Sequence, residues 1–370
     1  MAVNRLTVLG IPERPLRRPA HGVFPDLHQT RPATLHDYGG AIHVHSTYSD
    51  GSGSIPEILE AARATGLDYV LLTDHAEMSL CDRSWEDWHG DTLLALGCEL
   101  SPDHQPHSLA IDLPDASGLE TLNPVQRLAE VNLRGGRSFI AHPRGKKMIG
   151  MDLPPWRDWH SPFITGIEVW SYTYDWLERF RWSRAIACYR RPHEHIRGPH
   201  PDMLAVWDRL AMKSPTSGIA GVDAHARPMF FNRLKVFPYE LMFTTTLTHV
   251  MTEEFTRDAA RDAAAVKEAL SIGRCYMGYH VLGDPTGFRF FARTDSARVE
   301  MGDTVPLADD PTLRVELPAP AEVRLIANGR LTARRNTRCS EFTPAEPGPH
   351  RVEVWREGAP WIFSNPVYLA

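Results

Sequence analysis

Cysteine is scarce in this chain. Five cysteines stand among 370 residues, at positions 81, 98, 188, 275 and 339, with no Cys-x-x-Cys pair. An odd, scattered set excludes a disulfide framework and a zinc ribbon. No run of eighteen apolar residues occurs, so no membrane-spanning helix is expected. The opening MAVNRLTVLGIPERPLRRP has no apolar signal-peptide core, and a cytoplasmic protein is expected. Excess positive charge is missing too. A formal net charge of −6 and a pI near 6.3 leave no electrostatic footprint for a nucleic-acid scaffold or an anionic membrane. Apolar residues are not short: 42% hydrophobic and 23% charged residues allow a large core, and the length allows one large domain plus a small one.

Histidine is the residue in surplus, at 18 against 40 lysines and arginines. Its placement carries the argument. In HVHSTYSDG, residues 43–51, His43 and His45 sit two apart after the apolar pair Ala41-Ile42, and Asp50 follows in a turn at Gly51. Alternate side chains leave a strand on one face. His43 and His45 are therefore expected to converge, with Asp50 returning to the same spot. Imidazoles and a carboxylate at one point suggest a divalent metal.

From Tyr38 onward, short apolar runs alternate with helical patterns. Ser54-Ile55-Pro56-Glu57 reads as a capping box with proline in the first turn, and Gly66 closes that helix. Residues 69–73 form a buried-strand run that ends in Asp74-His75. Residues 93–100 form another and contain Glu99. Ser108 to Leu113 forms a third, opened by His107. A helix is expected from Pro124 to Leu133. Residues 138–141 then run into His142-Pro143, residues 164–170 read as a strand, and residues 218–222 run into Asp223-Ala224-His225. This alternation indicates an α/β fold class.

Collected in order, the groups at strand ends are His43, His45, Asp50, His75, Glu99, His107, His142, Asp223 and His225. Nine donors exceed the four to six of one ion and suit two or three, with a carboxylate bridging. His104 lies close to His107 and is an alternative ligand, but His107 opens the apolar run. Cys98 is expected on the opposite strand face from Glu99, in the core. Arg144 follows His142-Pro143, and its planar fork suits a pair of phosphate oxygens. Asp74 is either a support for His75 or a proton donor, and Glu168 is expected to support a ligand from behind. Asp74, Arg144 and His225 are the candidate catalytic groups.

Residues 173–215, rich in Trp, Arg and Tyr, read as a helical insertion or lid. Residues 1–37 read as an N-terminal arm. After residue 286 the texture changes to alternating apolar and polar residues. Asn328-Gly329 marks a hairpin, and the stretch 286–370 is expected to be a small antiparallel β-sandwich without a cluster of ionisable groups.

The order His43-Val44-His45 with Ser49-Asp50-Gly51, Thr73-Asp74-His75, Gly97-Cys98-Glu99, His107, Ala141-His142-Pro143 and Asp223-Ala224-His225 resembles the PHP (polymerase and histidinol phosphatase) family over residues 38–285. The resemblance implies a distorted (β/α)7-type barrel that holds two or three divalent ions (Mn, Fe or Zn). It implies hydrolysis, mostly of phosphoesters, by water activated between cations. It further implies a first ion on His43, His45, Glu99 and Asp223, a second on Glu99, His107 and His142, and a third on Asp50, His75 and His225. The appended β-module looks like the carbaryl-hydrolase-type branch of that family. The expected activity is therefore cleavage of a small anionic phosphomonoester or phosphodiester, with a carboxyl ester, carbamate or amide as the alternative bond and a non-catalytic metal-binding module as the third reading. Oligomeric state is left open.

Overall fold

A computed structural model describes residues 35–76, 83–148, 151–229 and 234–370. The arm expected at 1–37 falls outside these up to residue 34, as does Cys81. Strand β1 (His36–Val44) leads through helix α1 (Ile55–Thr65) to β2 (Tyr69–Leu72) and then to β3 (Thr92–Leu100) and β4 (Ser108–Ile111). Helix α2 (Pro124–Leu133) precedes β5 (Arg137–Ile140), and β6 (Ile164–Ser171) runs directly into α3 (Tyr172–Arg179). Helix α4 (Pro201–Ala211) then precedes β7 (Ser217–Gly221).

The pairing explains how distant strand ends meet. β1 pairs parallel with β2, and β2 parallel with β3. β3 to β4 and β4 to β5 are antiparallel, while β5 to β6 and β6 to β7 are parallel. Past the end of β7 the chain returns to β1. Val222 N donates to Ile42 O at 2.9 Å, and His45 N to Ala224 O at 3.0 Å. The ends of β1, β2, β3, β5 and β7 therefore open onto one region. The fold is mixed α/β.

Local signals account for the helices. The Glu57 carboxylate accepts from both the backbone N and the Oγ of Ser54, which satisfies the start of α1. α1 buries Ile55, Ile58, Leu59, Ala61 and Ala62. Each large apolar side chain so buried contributes about 1.5–3 kcal/mol. Asn123 and Gln126 form the same box at α2, whose Leu128 and Val131 are fully buried.

Strands β8 (Thr246–Thr252) and β9 (Cys275–Tyr279) flank helix α5 (Ala259–Ile272). β8 pairs antiparallel with the first half of β1, opposite the end that carries His43. Further on lie β10 (Arg289–Arg293), β11 (Thr312–Ala327), β12 (Arg330–Phe342), β13 (Gly348–Arg356) and β14 (Ala359–Ser364). The β11–β12 turn is Asn328-Gly329, with φ of 50° and 73°, the left-handed geometry that a two-residue hairpin requires. β14 pairs with β9, so the C-terminal strands continue the same sheet as the site-bearing strands. Their core of Phe290, Val315, Val323, Val352 and Trp361 also takes in Met251 and Tyr276. Among the described residues, no helix is long and apolar enough to cross a membrane.

Candidate metal centre

The strand ends bring the nine candidate ligands into one cluster, with His43, His45, Glu99, His142 and Asp223 buried and Asp50, His75, His107 and His225 half-buried around them. His43 Nε2 lies 3.4 Å from Glu99 Oε2 and 3.4 Å from Asp223 Oδ1. His45 Nε2 lies 3.4 Å and 3.5 Å from the same two oxygens. Four donors around a tetrahedral ion with bonds of about 2.0–2.1 Å stand roughly 3.3–3.4 Å apart. The other Glu99 oxygen, Oε1, lies 3.0 Å from His107 Nδ1 and 2.9 Å from His142 Nε2. Asp50 Oδ1 lies 3.3 Å from His75 Nε2 and 2.9 Å from His225 Nε2. Glu99 thus faces two groups of imidazoles with its two oxygens. His104 is exposed and stands apart from this contact, which His107 makes.

The cluster suits cations by the state of its atoms. His43 Nε2, both ring nitrogens of His45, Asp50 Oδ1 and His142 Nδ1 are buried without a hydrogen-bond partner. Each such orphan costs about 1–3 kcal/mol, and divalent ions are the partners that would satisfy several at once. Burial disfavours a charged Glu99, yet the His43 and His107 imidazoles outweigh it and hold the carboxyl well below its usual range. Burial and the neighbouring His225 push His45 down to about 3, so its ring is neutral and has a lone pair to offer. Burial also works against protonation of His43, but Asp223, Glu168 and Glu99 raise its pKa well above the ordinary value. A cation would replace that proton.

Three of the ligands stand on strained backbone. His43, His142 and Asp223 have φ of 67°, 25° and 51°. A non-glycine residue held there costs on the order of 1–3 kcal/mol, and such residues gather at functional sites. His43 also corrects the reading by regular alternation. The β1–β2 register shifts between Ile42 and Val44, so His43 occupies a bulge. Ala41 and Val44 consequently pack in one apolar cluster and Ile42 in another. His43 and His45 converge because of this kink, beyond which His45 leaves the strand.

Glu168 on β6 braces the cluster from outside. Its Oε1 lies 3.1 Å from His43 Nδ1, and Oε2 accepts from His142 N. Asp74 does not face the cluster. Its oxygens accept from Ser46 N at 2.7 Å, Ser46 Oγ at 2.7 Å and Ser49 Oγ, which fixes the turn carrying Asp50. Ser101 Oγ meets His75 Nδ1 at 2.6 Å, Arg227 Nη2 donates to Asp50 Oδ2 at 2.5 Å, and Tyr174 stacks on His142 with centroids 4.2 Å apart. Sequence reasoning missed Ser101, Arg227 and Tyr174. No spacing rule links them to their partners.

Residues 41–132 match the family model of the PHP domain. The chain carries a PHP domain. His43, His45, Asp50, His75, Glu99 and His107 fall within the matched stretch of the PHP domain, and the fold adds His142, Asp223 and His225 from beyond it. No curated protein matches the chain. Among solved structures it is similar to a two-domain protein from Bacteroides vulgatus, one domain of which is assigned by inference as a PHP-like metal-dependent phosphoesterase. That similarity has 17% identity and a TM-score of 0.41, and covers 90% of this chain and 97% of the other. PsfC from Pseudomonas syringae gives 16% identity and a TM-score of 0.39, covering 62% and 88% of the two chains. At that level of likeness, nothing transfers from those proteins to this chain.

Beside the cluster a cavity opens, lined by His142, Arg144, Tyr174, Glu178 and His200 among others. Arg144 is already engaged there: Nε lies 2.6 Å from Glu178 Oε1, and Nη1 3.4 Å from Asp202 Oδ2. Glu178 belongs to α3 and Asp202 to α4, both within residues 173–215. On the opposite strand face from Glu99, Cys98 is half-buried at the edge of the apolar cluster rather than in the core, and its thiol is neutral, pushed up to about 12 by burial.

Proposed function

We propose that this protein is a metal-dependent hydrolase, a phosphoesterase that cleaves a small anionic phosphomonoester or phosphodiester. The observation that carries the reading is Glu99, with one oxygen among His43, His45 and His75 and the other between His107 and His142. A carboxylate so placed is suited to bridge two cations. In this reading His43, His45, Glu99 and Asp223 hold a first ion, Glu99, His107 and His142 a second, and Asp50, His75 and His225 a third. The strand path that returns from β7 to β1 supports a distorted (β/α)7-type barrel as the frame, with its mouth at the cluster. Residues 286–370 are read as its appended β-sandwich.

Histidine with carboxylate suits Mn, Fe and Zn alike. Such ions lower the pKa of a bound water from 15.7 to about 7 and neutralise charge that develops on phosphoryl oxygens. The chain's own residues do the positioning. Glu168 orients the His43 ring and Ser101 the His75 ring. Asp74, through Ser46 and Ser49, sets the turn from which Asp50 reaches inward. Tyr174 and the insertion 173–215 form the wall beside His142. Arg227, more than half exposed and already on Asp50, is suited to meet an incoming anion.

A second reading keeps the cations and changes the bond to a carboxyl ester, carbamate or amide. The pairing of Arg144 with two carboxylates favours it, because that guanidinium is then not offered to a phosphate. The test is elemental analysis of purified protein, with nitrophenyl phosphate and nitrophenyl acetate assayed side by side. Two or three equivalents of metal and turnover of the phosphate, both lost in His43→Ala, support the first reading. Metal-loaded protein that hydrolyses only the acetate supports the second.

A further inference from the structure

Arg127 stands behind the centre. It belongs to α2, its side chain is fully buried, and Nη2 donates to Pro106 O at 2.5 Å. Pro106 immediately precedes His107. The segment 101–107 has neither helix nor strand, and its next residue opens β4. Ser101 at its start is buried and held by Glu120, Asp103 and His104 in its middle are exposed, and at its far end the Arg127 bond falls on the residue next to His107. At the His107 end, His107 O accepts from Ala141 N at 3.3 Å, beside His142.

The arginine is an expensive choice for that place. Its Nε and Nη1 are buried without a hydrogen-bond partner. The neighbouring Leu128 and Val131 serve the apolar packing of α2, and a methionine at 127 would do the same without stranded donors. Glu120 and Glu99 support its charge, and burial pulls the guanidinium down to about 10, so it remains charged at neutral pH. A side chain retained against that desolvation cost is explained by the one bond it makes.

We propose that Arg127 is a positioning residue for the cation site formed by Glu99, His107 and His142: by gripping the Pro106 carbonyl it fixes the His107 imidazole against Glu99. The inference rests on the reading of this cluster as a cation centre. Electrostatics alone predicts the opposite effect, because removing a buried positive charge near Glu99 should strengthen cation binding.

The experiment measures metal stoichiometry and cobalt affinity of the full chain by elemental analysis and titration, for the parent, Arg127→Met, Arg127→Lys and His107→Ala. The expected result is that Arg127→Met weakens one equivalent by about 10–100-fold, the range for loss of a group that orients a ligand, and leaves the others at parent affinity. His107→Ala should lose the same equivalent, with no further loss on adding Arg127→Met. Arg127→Lys, which keeps charge but not the fork, should weaken that equivalent to a lesser degree, and it decides the matter if Arg127→Met does not fold. Parent affinity at every equivalent, tighter binding, or uniform weakening of all equivalents in the variants overturns the proposal. A parent chain that binds no cation overturns the centre itself, a result distinct from any of these.

Discussion

Glu168 Oε1 lies 3.1 Å from Nδ1 of His43, on the opposite side of the ring from Glu99 and Asp223. That contact fixes Nδ1 as the proton-bearing nitrogen and turns Nε2 toward the cluster. Glu168→Gln should therefore lower cation affinity by about 10–100-fold while the apo fold survives. Isothermal titration with Mn or Zn checks it, and unchanged affinity would remove Glu168 from the account.

The same contact depends on a bare backbone at Gly221. A Cβ there would run into Glu168 Oε1, and moving that carboxylate aside would break its bonds to His43 and His142. Gly221→Ala should lower affinity at least as much as Glu168→Gln, because the added Cβ displaces the Glu168 carboxylate and also presses on His43 Cβ at 3.0 Å. A Gly221→Ala protein with parent-like cation binding would show that Glu168 can relocate freely.

Removing the cations should destabilise the protein. A ligand present at 100 times its Kd adds about 2.7 kcal/mol to folding stability, and here it also satisfies orphaned buried nitrogens. Dialysis against a chelator should lower Tm by several degrees, and added Mn or Zn should restore it. Asp223→Asn, which removes a carboxylate charge beside His43 and His45, should show a smaller metal-dependent rise in Tm than the parent.

Arg144 and Arg227 should separate in kinetics. Arg227→Ala is expected to raise KM for a phosphoester several-fold with a lesser change in kcat, consistent with loss of an exposed anion contact. Arg144→Ala should act chiefly through the insertion, because Glu178 and Asp202 lose their common partner. Its readout is easier proteolysis within 173–215. Equal KM effects from both substitutions would assign the anion to both arginines.

Acid should attack the protein at Asp37, far from the centre. This carboxyl accepts from His249 Nδ1 at 2.9 Å, Tyr276 OH at 2.9 Å, Gly287 N at 2.8 Å and Arg289 Nη1 at 3.1 Å. Burial raises its pKa, but the His249 bond and charge, with Gly287 and Arg289, outweigh it and hold the value below the usual one. A depressed carboxyl contributes stability above its unfolded pKa of about 3.9 and loses it as pH falls through the folded value. Asp37→Asn should cost about 1.5–3 kcal/mol at pH 7 in urea unfolding, and the gap from the parent should narrow progressively as pH falls below about 3.9. A gap independent of pH would contradict the assignment.

The sequence by itself determined the chemistry of this protein and the order in which it is delivered. His43, His45, His75, His142 and Asp223 stand at the ends of apolar runs, Glu99 lies within one and His107 opens one, and Ser54 and Asn328-Gly329 announce a cap and a turn, because these signals are local and obey backbone periodicity. Tertiary structure alone decided which atoms share a partner. The left-handed bulge at His43 depends on β1 pairing with β2 out of step. Arg144 finds Glu178 and Asp202, Tyr174 finds His142, and Arg127 finds Pro106 through space, across separations that carry no period. Spacing along a chain fixes the face a side chain leaves from. Only packing fixes what stands opposite that face.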